Sequence, residues 1–281
     1  MALTGGALLR ITQAYARGDG LVRRTADRVR RIAGAFLSGA LVPAERAQLS
    51  YRLYDISDAG KLEQLDLFGW ERSWFPSRLP NAPARILVAA AGSGREAQHL
   101  AGLGYRVDAF EPSARRGALC KRRIDTAGTV SIASYKDWFR AVLMAEHNSA
   151  HPVSGSYDAV LLGWGSLSHV LDADARGDVI RAADRVSPNG PILASFWLGT
   201  RGSRGASRVE RWAGSVGSSV GRLRGAGPPL DAEFTPWGGF TVAIERDEIE
   251  AHARRVGRRV AWDHGDADTP HATFLPTREP Q

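Results

Sequence analysis

Apolar positions follow a helical spacing over the first 80 residues, then alternate between short strand-like runs and helical stripes. In the first stretch Val22, Ala26, Val29, Ala33 and Phe36 recur at i, i+4, i+7, i+11 and i+14, one stripe of a helix. Arg23, Arg24, Arg28, Arg30 and Arg31 take the other faces and read as the solvated side of a packed helix. Pro43 suits the first turn of a second helix, which runs through Leu49 and Leu53 and ends near Tyr51, Tyr54 and Asp55. An aromatic-rich segment with Phe68, Trp70, Trp74 and Phe75 follows, and Pro76, Pro80 and Pro83 read as a stiff linker out of it.

From Arg85 the rhythm changes. Ile86, Leu87 and Val88 form a short apolar run suited to a strand buried on both faces. Gly92-Ser93-Gly94 makes a tight turn, Glu96 to Leu103 has helical spacing with Gly104 placed to end it, and Tyr105 to Phe110 forms a second strand that stops on Glu111. Strand, glycine turn, helix, strand and acid make the first half of a nucleotide-binding α/β unit. Pro112-Ser113 opens another helix, Thr129 to Ala133 is a weak strand, and a helix is expected from Trp138 to about Glu146. Tyr157 to Leu162 and Pro191 to Trp197 are further strands, separated by a helix that Asp172 or Asp174 can cap. This alternation argues for a parallel sheet covered by helices. Residues 200–229, rich in Gly, Ser and Arg, interrupt it with a helix from about Ser207 to Leu223, either a lid over the strand ends or a surface loop. The tail reads as a short strand, a helix from Arg246, and two final strands, Arg259 to Trp262 and His271 to Leu275. The expected organisation is a helical N-terminal cap over residues 1–80 and an α/β cofactor-binding domain over 81–281 carrying a lid at about 200–230.

Composition narrows this only slightly. A chain of 281 residues, 43% hydrophobic and 24% charged, suits one large soluble domain or a domain with a cap. The net charge is +7, but Lys61, Lys121 and Lys136 are the only lysines among 37 basic residues. So one-sided a preference for arginine reads as coding bias rather than phosphate binding, and no nucleic-acid partner is expected. One cysteine, Cys120, excludes an internal disulfide and suits a reducing compartment. Arg10 interrupts the only early apolar run, so neither a signal peptide nor a membrane span is expected, and the location expected is cytoplasmic.

The chemistry gathers at the first strand–turn–helix unit. Glycines there let a ligand approach the backbone, and the helix beyond offers free N–H groups. Glu111 is placed to accept hydrogen bonds from a ribose diol, or is an ordinary strand-end carboxylate. Gly92-Ser93-Gly94-Arg95-Glu96-Ala97 also fits the Gly-x-Gly-x-x-Ala of NAD-binding folds, so an NAD-dependent oxidoreductase is one reading. The unit more closely resembles class I S-adenosylmethionine-dependent methyltransferases, over about residues 80–277. Gly92 and Gly94 fall at two glycines of the family's acid-x-Gly-x-Gly-x-Gly motif, while Val88 stands at its acid and Ala90 at its first glycine. That acid helps organise the amino-acid end of the cofactor, so another group has to do so here. Glu111-Pro112-Ser113, Tyr157-Asp158-Ala159-Val160, Ser166-Leu167-Ser168-His169 and the Ser187–Pro191 turn extend the likeness.

The resemblance implies a Rossmann-like, mostly parallel seven-stranded sheet with an antiparallel last strand. It also implies S-adenosyl-L-methionine as cofactor, held by Ala90, Ala91, Gly92, Gly94, Glu111, Pro112, Asp137, Gly163 and Trp164. Asp137 falls where the family contacts the adenine amino group, and as easily reads as a helix cap. Trp164 walls the methyl pocket or packs beneath its loop. The acceptor expected is a small molecule methylated on O or N; the missing Asn/Asp-Pro-Pro-Tyr motif at 163–166 argues against DNA adenine. His169, after the fourth strand, is the candidate base for a protonated nucleophile, or a structural histidine. With Val88 in place of the acid, a non-catalytic cofactor-binding module is a third reading. No histidine–cysteine spacing suggests a metal; Asp263, His264, Asp266 and Asp268 read as a solvated turn.

Overall fold

In the computed structural model, seven strands lie in the order β3-β2-β1-β4-β5-β9-β8. The model describes residues 5–56, 66–144, 155–198, 206–227, 232–236, 238–263 and 270–277. The strands are β1 (Arg85–Ala89), β2 (Arg106–Glu111), β3 (Val130–Ile132), β4 (Ala159–Leu162), β5 (Ile192–Ser195), β8 (Arg258–Asp263) and β9 (His271–Pro276). Two further short strands, β6 (Glu233–Thr235) and β7 (Gly239–Thr241), stand outside this sheet. Pairs β1–β2, β1–β4, β2–β3 and β4–β5 are parallel. Strand β9 runs antiparallel between β5 and β8. This is the expected mostly parallel, seven-stranded Rossmann-like sheet with its antiparallel edge.

The central strands are apolar on both faces because helices cover both. Ile86, Leu87, Val88, Val160, Leu161 and Leu162 are fully buried. The helices are α1 (Gly5–Ala40), α2 (Pro43–Ile56), α3 (Gly69–Arg78), α4 (Arg95–Gly102), α5 (Ala114–Ile124), α6 (Tyr135–Met144), α7 (Ala173–Val186), α8 (Arg208–Leu223) and α9 (Arg246–Arg255). Asp172 caps α7 by accepting from the Ala175 N–H at 2.8 Å, and Ser207 with Glu210 forms a capping box on α8. Helix α3 takes in the aromatic segment and Pro76, the first proline of the expected linker, while Pro80 and Pro83 follow it. Glu71 in its first turn accepts from the Phe68 N–H at 2.8 Å, and Pro76 sits late enough that little of the helix follows it.

Contacts divide the chain into two units, one of residues 1–48 and 204–236, the other of 49–203 and 237–281. In the first, α1 and α8 pack through glycines: a side chain on Gly217 would strike the Phe36 carbonyl, and one on Gly221 that of Gly39. Arg224 bridges to Glu45 at 2.6 Å and Arg31 to Glu210 at 3.1 Å. The α1 stripe is not the packed face its spacing suggests. Val22 is 68% and Val29 60% exposed, and both line an open apolar recess of about 720 Å³ with Leu21, Ala33 and Phe234. No described helix is long and apolar enough to cross a membrane. Of the acidic turn, Asp263 bonds to Arg78, while His264, Asp266 and Asp268 lie outside the described residues.

In the second unit, Arg258 locks the antiparallel edge to the turn before β5. Its buried guanidinium bonds to Asp184 at 2.6 Å and to the carbonyls of Ser187 at 2.5 Å, Gly190 at 2.7 Å and Phe274 at 3.1 Å. Arg258→Leu strands these carbonyls and the carboxylate, and should cost about 3 kcal/mol in chemical denaturation. A loss under about 1 kcal/mol would contradict this role.

Candidate functional site

The reversal of strand order between β1 and β4 opens a crevice at the carboxyl edge of the sheet, where ligands of open α/β sheets bind. The chain leaves β1 through a sharply turned loop. Ala90 (φ 48°), Gly92 (φ 58°) and Gly94 (φ 85°) all adopt left-handed conformations. Ala90 therefore carries a cost of about 1 kcal/mol that a glycine would not. Gly94 precedes α4, and a Cβ there would stand 2.7 Å from Cys120 Sγ and 2.8 Å from its Cα. The loop can turn only because nothing projects from that position toward α5.

Glu111 ends β2 with 1% of its surface exposed. One carboxylate oxygen accepts from the Gly92 N–H at 2.9 Å and the other from the Ser113 N–H at 3.0 Å. Desolvation nonetheless pushes its pKa up to about 7; the two N–H bonds pull it down and Asp55 adds to the rise. The last turn of α2 covers this carboxylate. Asp55 hydrogen-bonds to the Ser113 hydroxyl, and the Arg116 guanidinium lies 3.6 Å from the Tyr54 ring centroid while donating to the Tyr54 carbonyl at 2.5 Å. Tyr54 Oη lies 3.1 Å from where a Cβ on Gly92 would be. Ala91 donates its N–H to the Phe110 carbonyl at 3.0 Å, and Pro112 is half-buried.

Asp137 is exposed in the first turn of α6 and accepts from the Ser134 N–H at 3.0 Å and hydroxyl at 2.7 Å. Its carboxylate is engaged in capping that helix. Tyr135 Oη bonds to Ser166 Oγ at 2.7 Å, joining α6 to the loop after β4. That loop holds Gly163, buried, and Trp164, half-buried at φ 26°. Trp164 meets Phe68 at 5.7 Å between ring centroids, and Phe68 stacks on Trp70. His169 closes a 3₁₀ turn, Ser166–His169. The residue is exposed, and desolvation pushes its pKa down to about 4 against a backbone hydrogen bond with Phe240. Among the described residues no group of three or more His, Cys, Asp or Glu could hold a metal ion.

Sequence reasoning passed over a buried cluster beside this edge. Glu71 is fully buried and accepts from Arg95 Nη1 at 2.5 Å and Nη2 at 2.6 Å. Arg95 also reaches Glu96 at 3.2 Å and lies over the Phe68 ring at 4.6 Å. The available signal was Glu71 three residues after Phe68, the spacing of a helix start.

No family model and no curated protein matches the chain. Solved structures match its fold. Two share a TM-score of 0.52: the CcbJ methyltransferase from Streptomyces caelestis, 15% identical over 86% of this chain and 98% of that one, and the 1,6-didemethyltoxoflavin-N1-methyltransferase from Burkholderia thailandensis, solved with 1,6-didemethyltoxoflavin and S-adenosylhomocysteine, 14% identical over 83% and 89%. The fold is that of the class I methyltransferases. DhpI in complex with SAH matches at a TM-score of 0.51, 16% identical over 87% of this chain and 98% of that one.

Two outcomes test the loop and its acid. Gly94→Ala should lose about 2 kcal/mol of stability by forcing α4 and α5 apart, whereas Ala90→Gly should be neutral or gain up to about 1 kcal/mol. Equal losses in both, by denaturant titration, would refute the loop geometry. A carboxyl pKa raised from its ordinary 4.5 to about 7 means that the folded chain holds a proton which the unfolded chain releases across that window. The Glu111 contribution to stability therefore declines as pH climbs from about 4.5 to 7, by on the order of 3 kcal/mol. Unfolding free energies of wild type minus Glu111→Gln should fall across that range; a flat difference would contradict the burial.

Proposed function

We propose that this chain is an S-adenosylmethionine-dependent methyltransferase acting on a small-molecule acceptor. The observation that carries the reading is Glu111 at the end of β2, joined to the glycine loop of β1 at the crevice where the strand order reverses. The residues fit such a cofactor. Each Glu111 oxygen accepts a single backbone bond and keeps a lone pair for a ribose hydroxyl. Ala90, Ala91, Gly92 and Gly94 bring backbone close to the crevice, with Pro112, Gly163 and Trp164 on its flanks. Since Tyr54 and Asp55 cover Glu111, this last turn of α2 has to shift for a ribose to reach it. Asp137, spent on its helix cap, is at most a secondary adenine contact. An antiparallel last strand favours this reading over the NAD-dependent one.

S-adenosylmethionine supplies a methyl group on a positively charged sulfur, already a good leaving group. The protein's task is then to align the acceptor and exclude water. Phe68, Trp70 and Trp164 form an aromatic wall suited to a ring-bearing acceptor. The Burkholderia neighbour, solved with 1,6-didemethyltoxoflavin, supports a small acceptor of this kind. His169 is neutral above about pH 4 and can take a proton from an O–H or N–H nucleophile.

Methyl transfer from S-adenosylmethionine to a panel of small aromatic hydroxyl and amino compounds, read by mass spectrometry, should yield products 14 Da heavier. Glu111→Ala should lower the yield at least about tenfold. The rate should not rise through any His169 titration between pH 6 and 8. Turnover of a nicotinamide cofactor with no methyl transfer would overturn the proposal.

A further inference from the structure

We infer that Glu96, backed by Glu71 and Arg95, receives the ammonium group of the cofactor's amino-acid end, replacing the acid missing at Val88. The inference rests on the cofactor reading above.

Val88 is fully buried in β1 and carries no charge, so the tip of this strand offers an ammonium nothing ionic. Glu96 stands one turn further on, in the first turn of α4, and its carboxylate points back toward the end of β4. A Cβ on Gly163 would lie 2.5 Å from Glu96 Oε1, so the glycine leaves the space this carboxylate occupies. Because β1 and β4 are neighbours, with Ala89 opposite Leu162, the carboxylate sits at the crevice itself. It is not sealed off: 8% of its side chain remains open. Its charge raises the pKa of Tyr54 and of Tyr135, as does that of Glu111. Because β2, β1 and β4 run parallel, the two acids stand at the same carboxyl edge, Glu111 at the end of β2 and Glu96 beside Gly163 after β4.

The charge balance of the cluster points the same way. Two buried carboxylates share one guanidinium, and Arg95 is already committed to Glu71 through both terminal nitrogens. Its contact to Glu96 is the longer one, at 3.2 Å. A buried set of two negative charges and one positive charge is short of one cation. A proton can make good the deficit: desolvation pushes Glu96 up to about 7, Arg95 pulls against this, and Glu71 adds to the rise. An ammonium of the ligand supplies the missing charge directly and brings N–H donors to the carboxylate. Glu71 then acts through Arg95, holding the guanidinium so that it neither swings into the crevice nor fully satisfies Glu96.

The test separates the ammonium from the rest of the ligand. S-adenosylhomocysteine has no charge on sulfur, and its desamino analogue lacks only the amino group. Calorimetry on the full chain should show the wild type preferring S-adenosylhomocysteine by about tenfold or more. Glu96→Gln should lose most of that preference while binding the desamino analogue as the wild type does, which also reports that the variant is folded. Glu96→Asp, shorter by one methylene, should fall between the two and serves if Glu96→Gln does not fold. A wild type that binds both ligands equally, or a Glu96 variant that keeps the full preference, overturns the inference alone. A wild type that binds neither overturns it together with the cofactor reading.

Discussion

A carboxylate shut away from water holds the working edge of this sheet in place. Glu111 takes one backbone N–H from the loop after β1 and one from the turn after β2, so two strand exits are tied to a single side chain. Neither bond makes up for the hydration the carboxylate has lost, which is why its pKa rises. Such an arrangement persists only because the strands around it are rigid. Their residues are apolar on both faces and covered by helices, and the edge strands are locked by Arg258. The apolar core thus offsets the cost of a polar edge organised before any ligand arrives.

The same logic explains the irregular positions of the loop. A left-handed Ala90 and a left-handed Trp164 flank the crevice, one after each central strand. Strain of this kind survives where the surroundings over-determine the backbone, and here neighbouring contacts do so: Ala91 bonds to Phe110, and Gly165 donates to the Ser195 hydroxyl at 2.7 Å. Charge follows a similar pattern. Where this chain lacks an acid at the tip of β1, two others, Glu71 and Glu96, gather around Arg95 close by.

Much of the fold was legible because it is encoded locally. Runs such as Ile86-Leu87-Val88, glycines at the turn, and Asp172 or Ser207 at helix starts each specify their element within a few residues. The long-range part of the sheet came from resemblance, since spacing alone does not order strands. Helix α3 was hidden because three prolines in eight residues look like a linker, yet only Pro76 lies inside it. The α1 stripe misled for another reason: periodicity says which face is apolar, not what covers it, and Val22 and Val29 remain exposed. In the site, Glu111 was visible because it ends a strand after a glycine turn. Glu71 and the bond between Tyr135 and Ser166 were not, since they join segments far apart in the chain.

We propose a crevice between β1 and β4 built for a methyl donor rather than a nicotinamide cofactor. The most direct measurement is titration calorimetry of the wild-type chain with S-adenosylhomocysteine and, separately, with NAD. Saturable, stoichiometric binding of S-adenosylhomocysteine and none of NAD is the expected result. Binding of NAD without binding of S-adenosylhomocysteine would contradict it.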